Sequence, residues 1–216
     1  MTENQQMKTG TTTVGLVAKD CVVLAADMRA SMGHIAYDEE SEKLYKITNN
    51  IGLTNAGSVG DGLTLIRFLR AQARLYEIER DTKISVKAVA TFLSTILNSN
   101  RYYPFGVQFI VGGVNNEPEL FELDALGGSL ERKKYAVSGS GTEPAMTTLD
   151  QNFRDGMAQE DAIGVAVKAI HAGKKRDIYS GGKSISVMVI DKQGVRELDQ
   201  KAIARFIKDT KEKDLN

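Results

Sequence analysis

The sequence of 216 residues predicts an α+β fold in which antiparallel sheets are covered by layers of paired helices. Strand-like runs come as hairpin pairs joined by short polar turns. Helical periodicity appears twice, each time as two consecutive helices. Helices therefore do not alternate singly with strands, which disfavours a doubly wound parallel sheet. With 42% hydrophobic residues the chain can bury a sizeable core, and no repeat, low-complexity tract or linker divides it, so one domain is expected.

The first two runs, residues 11–18 and 21–26, are β-branched or apolar and flank the polar pair Lys19-Asp20, which reads as a hairpin. Residues 43–48 and 51–56 form a second one around Asn49-Asn50, a pair that tolerates the positive φ of a tight turn. After Gly57 the period changes. Leu65, Ile66, Leu69, Ala73 and Tyr76 share one helical face, and Ser58 with Asp61 three residues on resembles a capping box. A second helix reads through Val86, Val89, Ala90, Leu93 and Leu97. Strands return at residues 107–111 and 120–123, and another run reaches Val137 before the loop Ser138-Gly139-Ser140-Gly141. Pro144 permits a helix starting near that loop, and Ala162, Ile163, Ala166, Val167 and Ile170 stripe the next one, which ends in Lys174-Lys175-Arg176. A last hairpin, residues 185–190 and 195–198 around Lys192-Gln193-Gly194, precedes a polar C-terminal helix.

Composition narrows the function classes. Lys plus Arg and Asp plus Glu both number 28, so no net field recruits nucleic acid or an anionic membrane. The single cysteine, Cys21, lies in an apolar run and reads as a buried core thiol. Residues 1–10 are polar and lack the apolar centre of a secretory signal, and no stretch approaches the roughly 18 apolar residues of a membrane span. A cytoplasmic protein is expected. His34 and His171 lack a metal-ligand spacing and Glu39-Glu40 reads as a solvated loop, so neither metal nor cofactor is assigned. The loop at Ser138 to Gly141 lacks the lysine of a phosphate cradle and has too few glycines for a dinucleotide fingerprint.

The sharpest local feature is Gly10-Thr11-Thr12-Thr13-Val14-Gly15, between the polar leader and the first strand. On spacing alone a threonine run at a strand start is ordinary, because the branched side chain packs well on a pleated surface. If the Gly10-Thr11 bond is cut, however, Thr11 gains a free α-amine with a reference pKa of about 7.7 to 8, a few bonds from its own hydroxyl. Base and nucleophile would then share one residue, a recognised way to activate a hydroxyl.

That segment resembles the maturation site of proteasome β subunits, and later fragments carry the resemblance in order. They are Ala26-Asp27-Met28-Arg29-Ala30, Glu42-Lys43-Leu44-Tyr45, Ala56-Gly57-Ser58-Val59-Gly60-Asp61, Ser138-Gly139-Ser140-Gly141 and Asp177-Ile178-Tyr179-Ser180-Gly181-Gly182. The likeness runs from Gly10 to about Leu198 and is of the archaeal type. It implies the N-terminal nucleophile hydrolase fold, a four-layer α-β-β-α sandwich of two antiparallel sheets, with residues 1–10 a propeptide and 11–216 a single catalytic domain. It also implies a threonine endopeptidase that matures by cutting itself between Gly10 and Thr11.

By the same resemblance Thr11 is the nucleophile, Asp27 and Lys43 are its charged neighbours, and Ser140, Asp177 and Ser180 support the amine. A lysine beside the hydroxyl favours a developing alkoxide, and an aspartate can hold that lysine in place. Both Lys43 and the Thr11 amine stay open as the base. Gly57, between a strand and a helix start, is the expected oxyanion donor. Ala30, Tyr45 and Val59 map to the first specificity pocket, which reads as apolar and roomy and favours cleavage after large hydrophobic residues. Ser31, with the backbone of Gly57 and Val59, is expected to pair the substrate chain; the family more usually has threonine at Ser31. The implied partners are other β subunits in a ring, α subunits, an ATP-driven unfoldase and unfolded polypeptide. Two relatives fit less well: bacterial two-component protease subunits typically lack the pattern at Asp177 to Gly181, and α subunits lack the threonine.

Overall fold

The computed structural model describes residues 10–213, with side chains through 208. Strands β1 (Thr13–Val17) and β2 (Val22–Asp27) form the first hairpin, and a small ribbon of β3 (Ala30–Met32) and β4 (Ile35–Asp38) follows. Next come β5 (Leu44–Lys46), β6 (Ile51–Gly57) and the helices α1 (Val59–Arg80) and α2 (Val86–Ser99). Strands β7 (Val107–Val114), β8 (Pro118–Leu123), β9 (Ser129–Glu131) and β10 (Tyr135–Ser138) lead to α3 (Thr142–Asn152) and α4 (Gln159–Arg176). The chain then runs through β11 (Ile185–Asp191), β12 (Gly194–Glu197) and α5 (Gln200–Lys213).

Two five-stranded antiparallel sheets result, in the orders β10-β1-β2-β11-β12 and β5-β6-β7-β8-β9. Each has a helix pair on its outer face, and the sheets pack on each other. The α-β-β-α order shows in three cores. Ile163, Val167 and Ile170 of α4 pack with Val23, Ala25 and Val187 of the first sheet. Leu65, Ile66 and Leu69 of α1 and Leu93 and Leu97 of α2 pack with Leu53, Phe109 and Val111 of the second. Between the sheets lie Val22, Leu24, Ala26, Ile110, Leu120 and Met188. Successive side chains of β2 alternate between the helix layer and the inter-sheet layer. A strand buried on both faces reads as one continuous apolar run.

Several elements differ from the sequence reading. The ribbon β3-β4 and strand β9 carry no period-2 signal, because the side chains of β4 and β9 are all exposed and burial imposes no alternation on them. Tyr76 is solvent-exposed, with the Arg80 guanidinium over its ring. The capping box is half formed: Ser58 Oγ accepts from Asp61 N at 3.3 Å, but the Asp61 carboxylate takes Gly106 N at 2.9 Å instead of the Ser58 amide. Among the described residues no helix is long and apolar enough to cross a membrane, and no cluster of three or more His, Cys, Asp or Glu could hold a metal ion.

Cys21 is 2% exposed, and burial raises its thiol pKa to about 11, with nearby Asp191 adding to the shift. The unfolded thiol ionises first, near 9, so this residue's contribution to stability holds below pH 9 and is lost as pH rises toward 11. Folded protein at pH 8 should therefore resist iodoacetamide and become alkylated in denaturant. Stoichiometric labelling of the native protein, read by mass spectrometry, would contradict the burial.

Candidate active site

The candidate residues gather where the two sheets end together. Strand β1 begins there beside the end of β2, and the pairs Thr13↔Ala26 and Thr13↔Ser138 fix the register. In the other sheet the same end carries the start of β5 and the end of β6. Hydroxyl groups bridge the sheets beneath the site: Thr13 Oγ1 lies 3.0 Å from Thr54 Oγ1 and 2.7 Å from Ser138 Oγ, and Thr54 Oγ1 accepts from Ile110 N. All three hydroxyl residues are buried and satisfied, so the network ties the sheet ends together without leaving orphan polar groups.

Asp27, fully buried, is the hub. Its Oδ1 accepts from the Thr11 hydroxyl at 2.5 Å, the Thr12 amide at 3.0 Å and the Lys43 ammonium at 2.6 Å. Its Oδ2 accepts from Gly181 N at 2.8 Å and Arg29 N at 3.2 Å. Five donors compensate the burial of one carboxylate. Lys43, 7% exposed, also donates to Arg29 O at 2.6 Å. Burial lowers its pKa, and the attraction of Asp27 only partly offsets that, so the amine releases a proton nearer neutrality than a solvated lysine. Lys43 and the Thr11 hydroxyl thus meet at one carboxylate oxygen.

A second cluster holds the Thr11 backbone. Thr11 N donates to Ser140 Oγ at 3.0 Å, and Ser140 Oγ donates to Asp177 Oδ2. Ser180 Oγ donates to the same Asp177 oxygen at 2.6 Å and lies 2.7 Å from Thr12 Oγ1. Asp177 is the C-cap of α4, so that helix places it. Gly10, still joined to Thr11, is buried, and a Cβ there would lie 2.0 Å from Tyr179 Cβ and 2.6 Å from Ser140 Oγ. No side chain fits at that position without displacing Tyr179.

Beside Thr11 is a narrow pocket lined by Gly10, Ala30, Ser31, Glu42, Lys43, Asn55, Gly57 and Val59, among others. It differs from the apolar, roomy slot the sequence suggests. Tyr45 is not among its lining residues; its ring joins the core under α1 and its Oη donates to Glu42 O at 2.7 Å. Asn55 takes part in the wall, with Oδ1 buried and without a hydrogen-bond partner among the described residues. The Ser31 hydroxyl donates to Tyr179 O at 3.0 Å and so is turned to the protein. Val59 stands exposed at the rim, and Gly57 has φ +105, a conformation that side chains with a Cβ rarely adopt.

A family model described as "Proteasome subunit" matches residues 7–190. The chain belongs to the proteasome family. Among similar chains, a "Proteasome subunit beta" of Methanocaldococcus fervens is 46% identical over 200 residues, 92% of this chain and 89% of that one. One of Methanosarcina mazei is 40% identical over 202 residues, 93% and 96% of the two chains. A "Proteasome subunit beta 2" of Pyrococcus furiosus is 44% identical over 199 residues, 92% and 96%. Every candidate residue falls inside the matched span of this proteasome family chain.

Sequence reasoning missed three contributors to the site: the backbone amides of Thr12 and Gly181, which donate to Asp27, and Arg29, whose carbonyl holds Lys43. Backbone donors leave no side-chain signature. Arg29 does lie in one of the ordered fragments, but its guanidinium is spent on Glu39 Oε1 at 3.1 Å and Ser180 O at 3.4 Å. The propeptide reading falls on residues 1–10, of which 1–9 lie outside the described residues.

Proposed function

We propose that Thr11 is the nucleophile of this threonine peptidase, a proteasome core subunit, and that it becomes competent when residues 1–10 are removed. The observation that carries the reading is the convergence of the Thr11 hydroxyl, the Thr12 amide and the Lys43 ammonium on Asp27 Oδ1, in a chain of this family. In peptide hydrolysis the Thr11 Oγ1 attacks the scissile carbonyl carbon and its proton passes to a base. The candidates are the freed Thr11 amine, next to Ser140, and Lys43, whose affinity for protons burial weakens. The tetrahedral oxyanion is met by the Gly57 N–H, at the end of β6 just before the N-cap of α1. The leaving amine takes the proton, and water then hydrolyses the Thr11 ester.

Maturation uses the same atoms. Thr11 Oγ1 attacks the Gly10 carbonyl, the C–N bond breaks to free the Thr11 amine, and water releases the leader from the ester. The closeness of Gly10 to Tyr179 and Ser140 supports this reading, because any side chain there would displace the residues that flank the Gly10-Thr11 bond. Intact mass of the assembled protein should begin at Thr11. Gly10→Val should retain most of the leader over the same period, and Thr11→Ala all of it. A Thr11→Ala chain shortened to residue 11 without an added protease excludes self-cleavage.

Lys43→Arg tests the proton role. A guanidinium keeps the charge, but it cannot occupy a buried gap 2.6 Å from both Asp27 Oδ1 and Arg29 O, and it does not release a proton near neutrality. In protein supplied without its leader, Lys43→Arg and Lys43→Ala should each lower kcat by about 10²-fold or more, roughly 2.7 kcal/mol of transition-state stabilisation. A Lys43→Arg rate close to the parental value would pass the base role to the Thr11 amine.

The family makes the chain a component of a multi-subunit core particle. The finer reading is a ring of β subunits stacked against rings of α subunits and fed unfolded polypeptide by an ATP-driven unfoldase in the cytoplasm. Enclosure in symmetric rings would keep an open nucleophile away from folded proteins. Cleavage after large hydrophobic residues remains the proposed preference. Ala30 and Val59 support it, and Asn55 and Glu42 set a polar wall against it.

A further inference from the structure

The bond from Gly106 N to the Asp61 carboxylate, at 2.9 Å, joins the first turn of α1 to the residue that leads into β7, beside the expected oxyanion donor. We propose that Asp61 is a positioning residue: it fixes the turn that carries the Gly57 N–H and so sets how well the tetrahedral intermediate is held. The proposal rests on the reading of Thr11 as nucleophile and Gly57 as oxyanion donor.

Gly57 is locked against Gly106. A Cβ on Gly57 would lie 2.1 Å from Gly106 O, so the two backbones are in direct contact where β6 hands over to α1. The next residue, Ser58, donates its N–H to that same Gly106 oxygen at 2.6 Å. Gly106 N is in turn taken by Asp61 Oδ2, and Asp61 N donates to Ser58 Oγ at 3.3 Å. The three bonds close a circuit: Ser58 to Gly106, Gly106 to Asp61, Asp61 to Ser58. Both polar backbone groups of Gly106 are thereby used to hold the turn.

Within that circuit the Asp61 carboxylate is the side chain that crosses from the helix to the segment entering β7. In an ordinary capping box it would fold back onto the Ser58 amide. Here Ser58 N is engaged by Gly106, which frees the carboxylate for the bridge. The segment leading into Gly106 is otherwise outward-facing, with Tyr102 79% and Tyr103 91% exposed. Without Asp61 the hold between that segment and the Gly57 turn falls from two bonds to one. An oxyanion donor acts only when it is already aimed, so a small loosening there weakens the transition state more than substrate binding.

The test compares Asp61→Ala, Asp61→Ser and Asp61→Asn in assembled protein made without its leader. Asparagine keeps an acceptor for Gly106 N. Serine keeps a residue suited to a helix start but cannot span to Gly106, so it serves if the alanine variant fails to assemble. Steady-state kinetics on one fluorogenic peptide and the affinities of a peptide boronate and the matching peptide amide are measured for each. The boronate forms a tetrahedral adduct whose oxygen takes the oxyanion position; the amide does not.

For Asp61→Ala and Asp61→Ser, kcat should fall about 10- to 100-fold with KM within about 3-fold, and boronate affinity should fall while amide affinity holds. Asp61→Asn should stay within about 3-fold of the parent in all of these. Unchanged kcat and boronate affinity in the alanine and serine variants overturns the proposal, as does an equal loss in Asp61→Asn, which would assign the effect to charge at the helix start. If the parent itself shows no preference for boronate over amide, the nucleophile and oxyanion reading fails instead.

Discussion

Asp27→Asn should be the most disruptive single change at the site, removing activity and lowering stability together. The carboxylate accepts five hydrogen bonds, one of them from the buried ammonium of Lys43. An asparagine amide carries no charge and can offer one oxygen, so Lys43 stays buried without its carboxylate partner and leans on Arg29 O. Removing one member of a buried ion pair costs about 3–5 kcal/mol. In a chain of this size that lowers the melting temperature by roughly 6–20 °C. Peptidase activity of leaderless protein should fall by about 10²-fold or more, since the hydroxyl loses the acceptor that orients it.

The sign of the pH dependence separates this electrostatic account from a packing defect. Lys43 already has a pKa below its ordinary value of 10.5, chiefly through burial, and the pull of Asp27 opposes that shift. In Asp27→Asn the opposing pull is gone, so the folded-state pKa drops further. Between that value and 10.5 the unfolded chain binds more protons than the folded one, and stability rises with pH in that window. The deficit of Asp27→Asn should therefore shrink as pH is raised toward 10, and adding Lys43→Met should recover stability but not activity. A deficit constant with pH and untouched by Lys43→Met would show that the cost is one of shape.

The large elements and the charged and hydroxyl residues that gather around Thr11 were legible in the sequence, for different reasons. Strand β2 announced itself because both its faces are buried, and α4 because one face is. Asp27, Lys43 and Asp177 were found through ordered fragments, since on spacing alone each is an ordinary charged residue near a strand or helix end. What escaped depends on backbone geometry or on distant partners. The Thr12 and Gly181 amides are invisible to any reading of side chains, and the exposed strands β4 and β9 have no burial to impose a period. Asn55 shows what ordered fragments overlook, since it lies in the wall of the cavity beside Thr11, while Tyr45 packs in the core next to it.

The central claim is that the Thr11 hydroxyl is the attacking group, and the most direct measurement is the peptidase rate of Thr11→Ala supplied without residues 1–10. Removing the leader genetically matters, because an alanine chain that cannot mature would be inactive for a separate reason. Alanine removes the oxygen that donates to Asp27 Oδ1 and leaves Asp27, Lys43 and Ser140 in place. Loss of a nucleophile from a working constellation costs about 10⁴-fold or more in kcat, and what survives reflects binding and oxyanion contacts. The expected result is an assembled particle with turnover at or near background, while Thr11→Ser, which retains a hydroxyl, still cleaves the same peptide. A leaderless Thr11→Ala particle that hydrolyses peptide within about tenfold of the parental rate, a difference of about 1.4 kcal/mol, would contradict the account.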